Sequence, residues 1–98
     1  GKRTLRVEAG PLPPESETYD AVMALSLQDT SVARWLELAA RVRPLGMMFV
    51  TVNLEKLSPA ALIDRVAACR SKQLVAMGKP RLGGLAEGYY KVGMVKFG

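Results

Sequence analysis

The sequence predicts an α/β fold with a mostly parallel sheet and a closing antiparallel hairpin, in the order β-β-α-β-α-β-β. Two compact apolar runs, Tyr19–Leu25 and Met47–Val52, have the length and composition of strands buried in a parallel sheet. Each run is followed by a segment with helical periodicity or a helix-start signal. Two further strand patterns, separated by a glycine- and proline-rich turn, end the chain.

The first half of the chain predicts two strands and one helix. Thr4–Glu8 alternates and is predicted as a short strand, which Gly10–Pro14 ends because its three prolines lack an N–H and fix φ. Tyr19–Leu25 is the second strand. The helix that follows is predicted to end at Pro44, with Trp35 as a core anchor. Its apolar stripe consists of Val32, Trp35, Leu36, Ala39 and Val42, and the charged side chains that lie mostly off this stripe are Arg34, Glu37, Arg41 and Arg43.

The second half predicts a central strand at Met47–Val52, a helix and two closing strands. Ser58 followed by Pro59 is a strong helix start, because serine caps the first turn and proline fits its first position. The closing strands are predicted at Lys72–Met77 and Gly88–Phe97 and are expected to form the hairpin.

Composition narrows the functional classes. Ninety-eight residues predict a single domain spanning 1–98. One cysteine and no histidine supply no internal disulfide and no metal ligand set, and Cys69 is expected to be a small core hydrophobe. The low cysteine content and the lack of an apolar run long enough for a membrane span favour a cytoplasmic protein.

Positive charge is concentrated in the C-terminal half. Residues 1–50 carry six basic and six acidic side chains, whereas residues 51–98 carry eight and three. This pattern is typical of a solvated basic face, or of a surface for an acidic partner or a nucleic acid. Lys79, Arg81 and Lys91 are the candidate partner-binding residues, and Tyr89 and Tyr90 place aromatics beside them.

Four motifs in a fixed order carry a family resemblance. They are Leu5–Gly10, Leu12–Pro14, Tyr19–Val22 and Arg41–Gly46, the last leading into the strand at Met47–Val52. Together they resemble the C-terminal part of a class I S-adenosylmethionine-dependent methyltransferase, a Rossmann-like fold. In that family a third strand leads through a Pro-rich loop to an [FY]-D-x-[VI] fourth strand, and an R-x-x-[RK]-P-G-G turn precedes the fifth.

The departures from the family pattern concern the cofactor. The resemblance implies a glycine-rich loop after the first strand and an acid after the second, and neither occurs in these 98 residues. Pro11 replaces the family's acidic residue, and Leu45 replaces the first glycine of its P-G-G turn. We therefore expect no cofactor within this chain and no catalytic residue. Gly10 and Leu25 would line the former site if a cofactor bound.

One subfamily resemblance concerns 2′-O-ribose RNA methyltransferases, which use a Lys-Asp-Lys-Glu set. Lys79-Pro80 and Glu87–Tyr90 look like the K-P and E-x-Y segments at the end of those enzymes. Leu25 and Thr51, however, occupy the aspartate and second lysine positions. A lone glutamate lacks the neighbouring groups that would hold and tune the lysine, so this chemistry is not expected.

Three functions remain open from the sequence. The first is a non-catalytic methyltransferase-like module that binds another protein or domain, similar to the N-terminal domain of the anamorsin family, which acts in cytosolic iron–sulfur protein assembly. The second is a fragment of an active S-adenosylmethionine-dependent methyltransferase. The third is a nucleic-acid-binding domain. In each case the edge of the strand at Thr4–Glu8 is expected to be exposed and open to pairing with another chain.

Overall fold

A computed structural model describes residues 2–82 and 88–98 of the chain. The described elements follow the predicted order, with one short extra strand and a 3-10 turn. They are β1 (Thr4–Val7), β2 (Tyr19–Ala24), α1 (Val32–Ala39), β3 (Val42–Asn53), α2 (Pro59–Ala68), a 3-10 turn (Cys69–Lys72), β4 (Leu74–Ala76), β5 (Arg81–Leu82) and β6 (Tyr89–Lys96).

The six strands form one mixed sheet in the order β1-β2-β3-β6-β4, with β5 paired to β6. The β1–β2 and β2–β3 pairs are parallel, whereas β6 runs antiparallel to β3, β4 and β5. The expected antiparallel pairing of the two closing strands is confirmed. The expectation of a mostly parallel sheet is corrected, because β6 lies between β3 and β4 and so makes every pairing on its side antiparallel.

Strand β1 lies at one edge of the sheet and pairs only with β2 among the described strands. The pairing runs from Thr4 opposite Ala21 to Val7 opposite Ala24. In the doubly wound strand order 3-2-1-4-5-6 the neighbour of strand 4 is strand 1. The structure therefore puts the segment that resembles the family's third strand in the place of its first.

Both helices begin where the sequence predicts. The Ser31 side chain accepts a hydrogen bond from the Arg34 N–H at 3.2 Å, and that of Ser58 accepts one from the Ala61 N–H at the same distance. Each cap satisfies one of the free donors of a first helical turn. Pro59 adds a residue whose fixed φ fits that turn.

The predicted end of α1 at Pro44 is wrong. The helix ends at Ala39, and β3 already begins at Val42, which pairs with Tyr19. The next pair is Ala21 with Met47, so residues 43–46 bulge out of the strand. A bulge accommodates Pro44 because its missing N–H is not needed for the ladder.

One face of the sheet, the covered face, carries both helices. The β2–α1–β3 and β3–α2–β4 connections move across the sheet in the same direction, so right-handed crossovers place α1 and α2 on the same side. Trp35 and Leu38 of α1 and Leu62 of α2 are buried there against Val22 and Met48. The core position predicted for Trp35 is confirmed. None of the described helices is long and apolar enough to cross a membrane.

The opposite side of the sheet, the open face, has no described helix on it. Along β3, Met48, Val50 and Val52 are buried, whereas Met47 is exposed and Phe49 and Thr51 are half-buried. The same alternation continues into the neighbouring strands. The apolar residues of the open face are Ala21, Met23, Met47, Phe49, Val75, Met77 and Val95.

Candidate functional site

A crevice lies where β1 and β2 end, at the edge where doubly wound sheets bind their ligands. Its volume is about 400 Å³. Leu25 is among the residues that line it, whereas Gly10 is not and has a φ of +94°. The complete lining is Arg6, Val7, Glu8, Ala9, Met23, Leu25, Ser26 and Gln28.

Two arginine side chains hold the loop after β1 in place, Arg34 in α1 and Arg41 two residues after the end of that helix. The Arg34 guanidinium donates to the Gly10 carbonyl at 2.7 Å, and that of Arg41 donates twice to the Pro13 carbonyl, at 3.0 and 2.8 Å. A third Arg41 bond, 2.8 Å long, reaches the Glu37 carbonyl. Although the sequence places Arg41 off the apolar stripe, it is only 9% exposed because these carbonyls draw it inward.

Because β1 lies in the place of the family's first strand, the loop after it lies where the glycine-rich turn would be, and it does not fit S-adenosylmethionine as that turn does. A cofactor turn needs free backbone N–H groups and a close approach of the backbone to the ligand. Residues 10–14 contain three prolines, so only Gly10 and Leu12 carry an N–H. Leu45, where the family has glycine, adopts φ +67° and is 78% exposed, so the turn keeps a glycine-like backbone without a glycine.

A polar cluster follows the crevice toward β3. The Ser26 N–H donates to Thr51 Oγ1 at 2.7 Å, and Ser26 itself adopts φ +54°. Hydrogen bonding to the side chains of Ser26 and then Asn53 lowers the pKa of Tyr89. These groups satisfy one another, and the cluster contains no carboxylate or lysine at the Leu25 and Thr51 positions of the ribose-methyltransferase pattern. Glu87, the last member of that pattern, lies outside the described residues.

The structure offers no metal site in the part of the chain that it describes, where no three acidic or cysteine side chains are close enough to share an ion. Cys69 is fully buried in the core cluster, as expected of a small hydrophobe. Burial raises the pKa of its thiol to about 11, so it carries almost no thiolate at neutral pH.

The three candidate partner-binding residues lie together. Arg81 and Lys91 are opposite each other in the β5–β6 pair, and Lys79 comes two residues before Arg81. All three are exposed and line a groove of about 370 Å³. Met23, Phe49 and Met77 of the open face line the same groove.

The two candidate tyrosines lie on opposite faces of the sheet, and Lys96, a further basic residue of β6, is engaged inside the fold. Tyr90 packs against the core, while its neighbour Tyr89 lies on the opposite side of β6. The Lys96 ammonium donates to the Val42 carbonyl at 3.0 Å and to the Ala39 carbonyl at 3.4 Å. These bonds join β6 to the α1–β3 turn, so Lys96 does not form part of a basic patch. Its partial burial lowers the pKa of its ammonium group.

Sequence reasoning did not identify the open face as a site. The signal was present, because Tyr19–Leu25 and Met47–Val52 are apolar at both odd and even positions. Such runs are typical of strands that are covered on both faces, whereas one solvated face produces an alternating pattern. In this structure the described helices cover one face only.

Comparison with known proteins gives a fold likeness. No protein-family model matches the chain, and no curated protein matches it by sequence. Among solved structures, the antibiotic-resistance methyltransferase Kmr is similar with a TM-score of 0.65 and 14% identity, over 88% of this chain and 56% of that one. A variant of the 16S rRNA (adenine(1408)-N(1))-methyltransferase from Catenulisporales acidiphilia is similar with a TM-score of 0.65 and 12% identity, over 89% and 55%.

The chain therefore spans a little over half the length of these two methyltransferases. At such identities the likeness establishes the fold, and the fold agrees with the resemblance found in the sequence. The described residues form part of a Rossmann-like, methyltransferase-like α/β fold with a mixed sheet.

Proposed function

We propose that this chain is a non-catalytic methyltransferase-like module that binds another protein or domain. The observation that carries the proposal is the loop after β1, which Arg34 and Arg41 hold in place. A Pro-rich loop belongs to the family pattern after its third strand, but here it lies in the place of the loop after the first strand, where its three prolines remove N–H donors at the ligand-binding edge of the sheet. Arg34 and Arg41 occupy the Gly10 and Pro13 carbonyls. A loop held in this way is suited to a fixed surface and not to a cofactor cradle.

Other departures from the family pattern support the same proposal. Leu25 puts an apolar side chain into the crevice. Leu45, at the amino end of β3 and therefore at the opposite edge of the sheet, holds a left-handed backbone that costs a non-glycine residue about 1 kcal/mol. An anamorsin-like role in iron–sulfur protein assembly is the narrower form of the proposal. In that form the cluster ligands must belong to a partner or a further segment, because Cys69 is the only cysteine of these residues and is buried.

A second candidate function is one half of an active S-adenosylmethionine-dependent methyltransferase. The observation that favours it is the likeness to two enzymes of that class, each matched over only about half its length. The remaining half would then have to supply the cofactor loop. A nucleic-acid-binding function is favoured only by the convergence of Lys79, Arg81 and Lys91.

Isothermal titration calorimetry with S-adenosylmethionine separates the first two functions, when it is run on the full polypeptide in which these residues occur. A non-catalytic module should give no heat of binding at cofactor concentrations of tens of micromolar. Binding in the low micromolar range would refute the non-catalytic function and support the methyltransferase half. A gel shift with single-stranded RNA at two salt concentrations tests the third function, since binding through phosphates weakens steeply with salt.

A further inference from the structure

We propose that the open face is the docking surface for an acidic amphipathic helix supplied by another protein. This inference rests on the proposed function and gives it a surface and a class of partner. The surface is the apolar side of β2, β3, β4 and β6 that the described helices leave uncovered.

The composition of the strands is the first observation in favour of a docking surface. In β3, Met47 and Phe49 face outward on either side of the buried Met48. A strand with one permanently solvated face would carry polar residues at the positions of Met47 and Phe49. Met47 is 38% exposed and Met77 is 51% exposed, although both are large apolar side chains in the middle of a group of others. Such a patch marks an interaction surface more often than a solvated one.

The shape of the face is the second observation. A Cβ on Gly93 would lie 2.7 Å from Met77 Cε and 3.3 Å from Phe49 Cε1. Glycine therefore lets these two side chains lie low over β6 and form the floor of the adjoining groove of about 370 Å³. A groove with a floor of methionine and phenylalanine suits the apolar stripe of a helix, because methionine adapts its shape to what it packs against.

The charge around the face is the third observation. Arg6 of β1, Lys79, Arg81 and Lys91 are all exposed, and together they border the open face along both its β1 and its β5 side. A partner with glutamates or aspartates flanking its apolar stripe would meet opposite charge on each side. A second copy of the chain would not, because a two-fold contact across this face would bring the same four cations together.

The choice of a helix follows from the fold. Sheets with parallel strands are normally covered by helices on both faces, and both described crossovers of this sheet place their helices on the same face. RNA is the weaker occupant, since strand stacking needs several adjacent aromatics. On this face Phe49 lies opposite Gly93, whereas Tyr89 lies at the far end of β6 and is hydrogen-bonded to Ser26 and Asn53.

Fluorescence anisotropy with two labelled peptides tests the inference on the full polypeptide in which these residues occur. Both peptides are amphipathic helices of about 18 residues with the same leucine stripe, one with glutamate and one with lysine on its flanks. We expect the glutamate peptide to bind at least about tenfold more tightly than the lysine peptide, with the difference shrinking at high salt. Equal binding of the two peptides, or no binding of the glutamate peptide, would overturn the inference.

Two matched variants locate the binding. Met47→Glu places a carboxylate on the open face, whereas Val32→Glu makes the same change in charge at the start of α1, on the other side of the sheet, where Val32 is 41% exposed. We expect Met47→Glu to abolish binding of the glutamate peptide and Val32→Glu to leave it unchanged. Circular dichroism checks that both variants fold.

The remaining outcomes are also decisive. Loss of binding in both variants or in neither would place the peptide elsewhere and overturn the inference. Concentration-dependent self-association that Met47→Glu abolishes would assign the open face to a second copy and overturn it as well. Calorimetry with S-adenosylmethionine tests the proposed function separately. If neither the glutamate peptide nor S-adenosylmethionine binds, the docking surface is refuted and the proposed function stands.

Discussion

The two faces of the sheet are built from similar residues but have different surroundings. On the covered face, Val22, Met48 and Met94 are fully buried beneath Trp35 and the rest of the helical layer. On the open face, residues of the same kind are exposed or half-buried. The difference shows that composition alone does not fix burial. A strand can have the apolar composition of one that is covered on both faces although the described elements cover only one face. The uncovered face is then available to a partner.

Adjacent methionines give the sharpest test of this difference. Met48 is fully buried on the covered face, while Met47 beside it is 38% exposed on the open face. Met48→Ala should lower the free energy of unfolding by about 2–5 kcal/mol, because it leaves a cavity in the core. Met47→Ala should lower it by less than about 1 kcal/mol. Urea denaturation of both variants measures the difference, and equal losses would contradict the one-sided core.

Two glycines extend the comparison to the backbone. A Cβ on Gly46 would lie 2.8 Å from the carbonyl oxygens of both Arg43 and Asp20, and these backbone atoms cannot move away cheaply. A Cβ on Gly93 would meet the ends of the Met77 and Phe49 side chains, which have room to shift on the open face. We expect Gly46→Ala to cost about 1–3 kcal/mol of stability and Gly93→Ala to cost less.

The stabilities of the two glycine variants are measured by thermal unfolding followed by circular dichroism. A larger loss for Gly93→Ala than for Gly46→Ala would mean that Met77 and Phe49 cannot shift, and that the open face is as tightly packed as the covered one.

Leu45 offers a stabilising change at the exposed start of β3. Its φ of +67° is strained for leucine and free for glycine, and its side chain is 78% exposed, so little packing is lost on removal. Leu45→Gly should therefore raise the free energy of unfolding by up to about 1 kcal/mol, less what glycine gains in the flexible unfolded chain. Arg43→Gly, nearby in the same bulge, is the control, and it should destabilise. A destabilised Leu45→Gly variant in urea denaturation would show that the Leu45 side chain is needed.

The smallest expected effect concerns Cys69, the core cysteine. Burial raises the pKa of its thiol to about 11, whereas an unfolded cysteine ionises at about 8.5. The contribution of this thiol to stability is therefore complete below about pH 8.5 and declines as the pH rises toward 11. At about pH 8, below both pKa values, we expect alkylation by iodoacetamide to be slow in native protein and fast in urea. Fast native alkylation would contradict the burial of Cys69.

Features of the fold that depend on neighbouring residues were predicted from the sequence, whereas features that depend on contacts between distant segments were not. Ser31, Ser58 and Pro59 marked the helix starts correctly, because capping depends on a few neighbouring residues. Pro44 led to a wrong prediction of the end of α1, because its effect depends on whether the chain around it is helix or bulge. The pairing between Val42 and Tyr19 makes it a bulge. The mixed sheet likewise follows from where β6 inserts, which no local pattern records.

The candidate site was predicted in part for the same reason. Lys79, Arg81 and Lys91 were identified from charge, and the structure brings them together beside the open face. The face itself was missed because exposure is decided by which helices lie over a sheet. Periodicity placed Arg41 off the apolar stripe, but it could not show that the Pro13 carbonyl lies close enough to draw the guanidinium inward.

The five methionines of the chain allow the difference between the two faces to be measured in one experiment. Met23, Met47 and Met77 lie on the open face, and Met48 and Met94 are fully buried on the covered one. Exposure to dilute hydrogen peroxide, followed by peptide mass spectrometry, reports the oxidation rate of each thioether. We expect Met47 and Met77 to become sulfoxides first, Met23 next, and Met48 and Met94 only after unfolding. Oxidation of Met48 or Met94 at the rate of Met47 in the native protein would contradict a sheet with one covered and one open face.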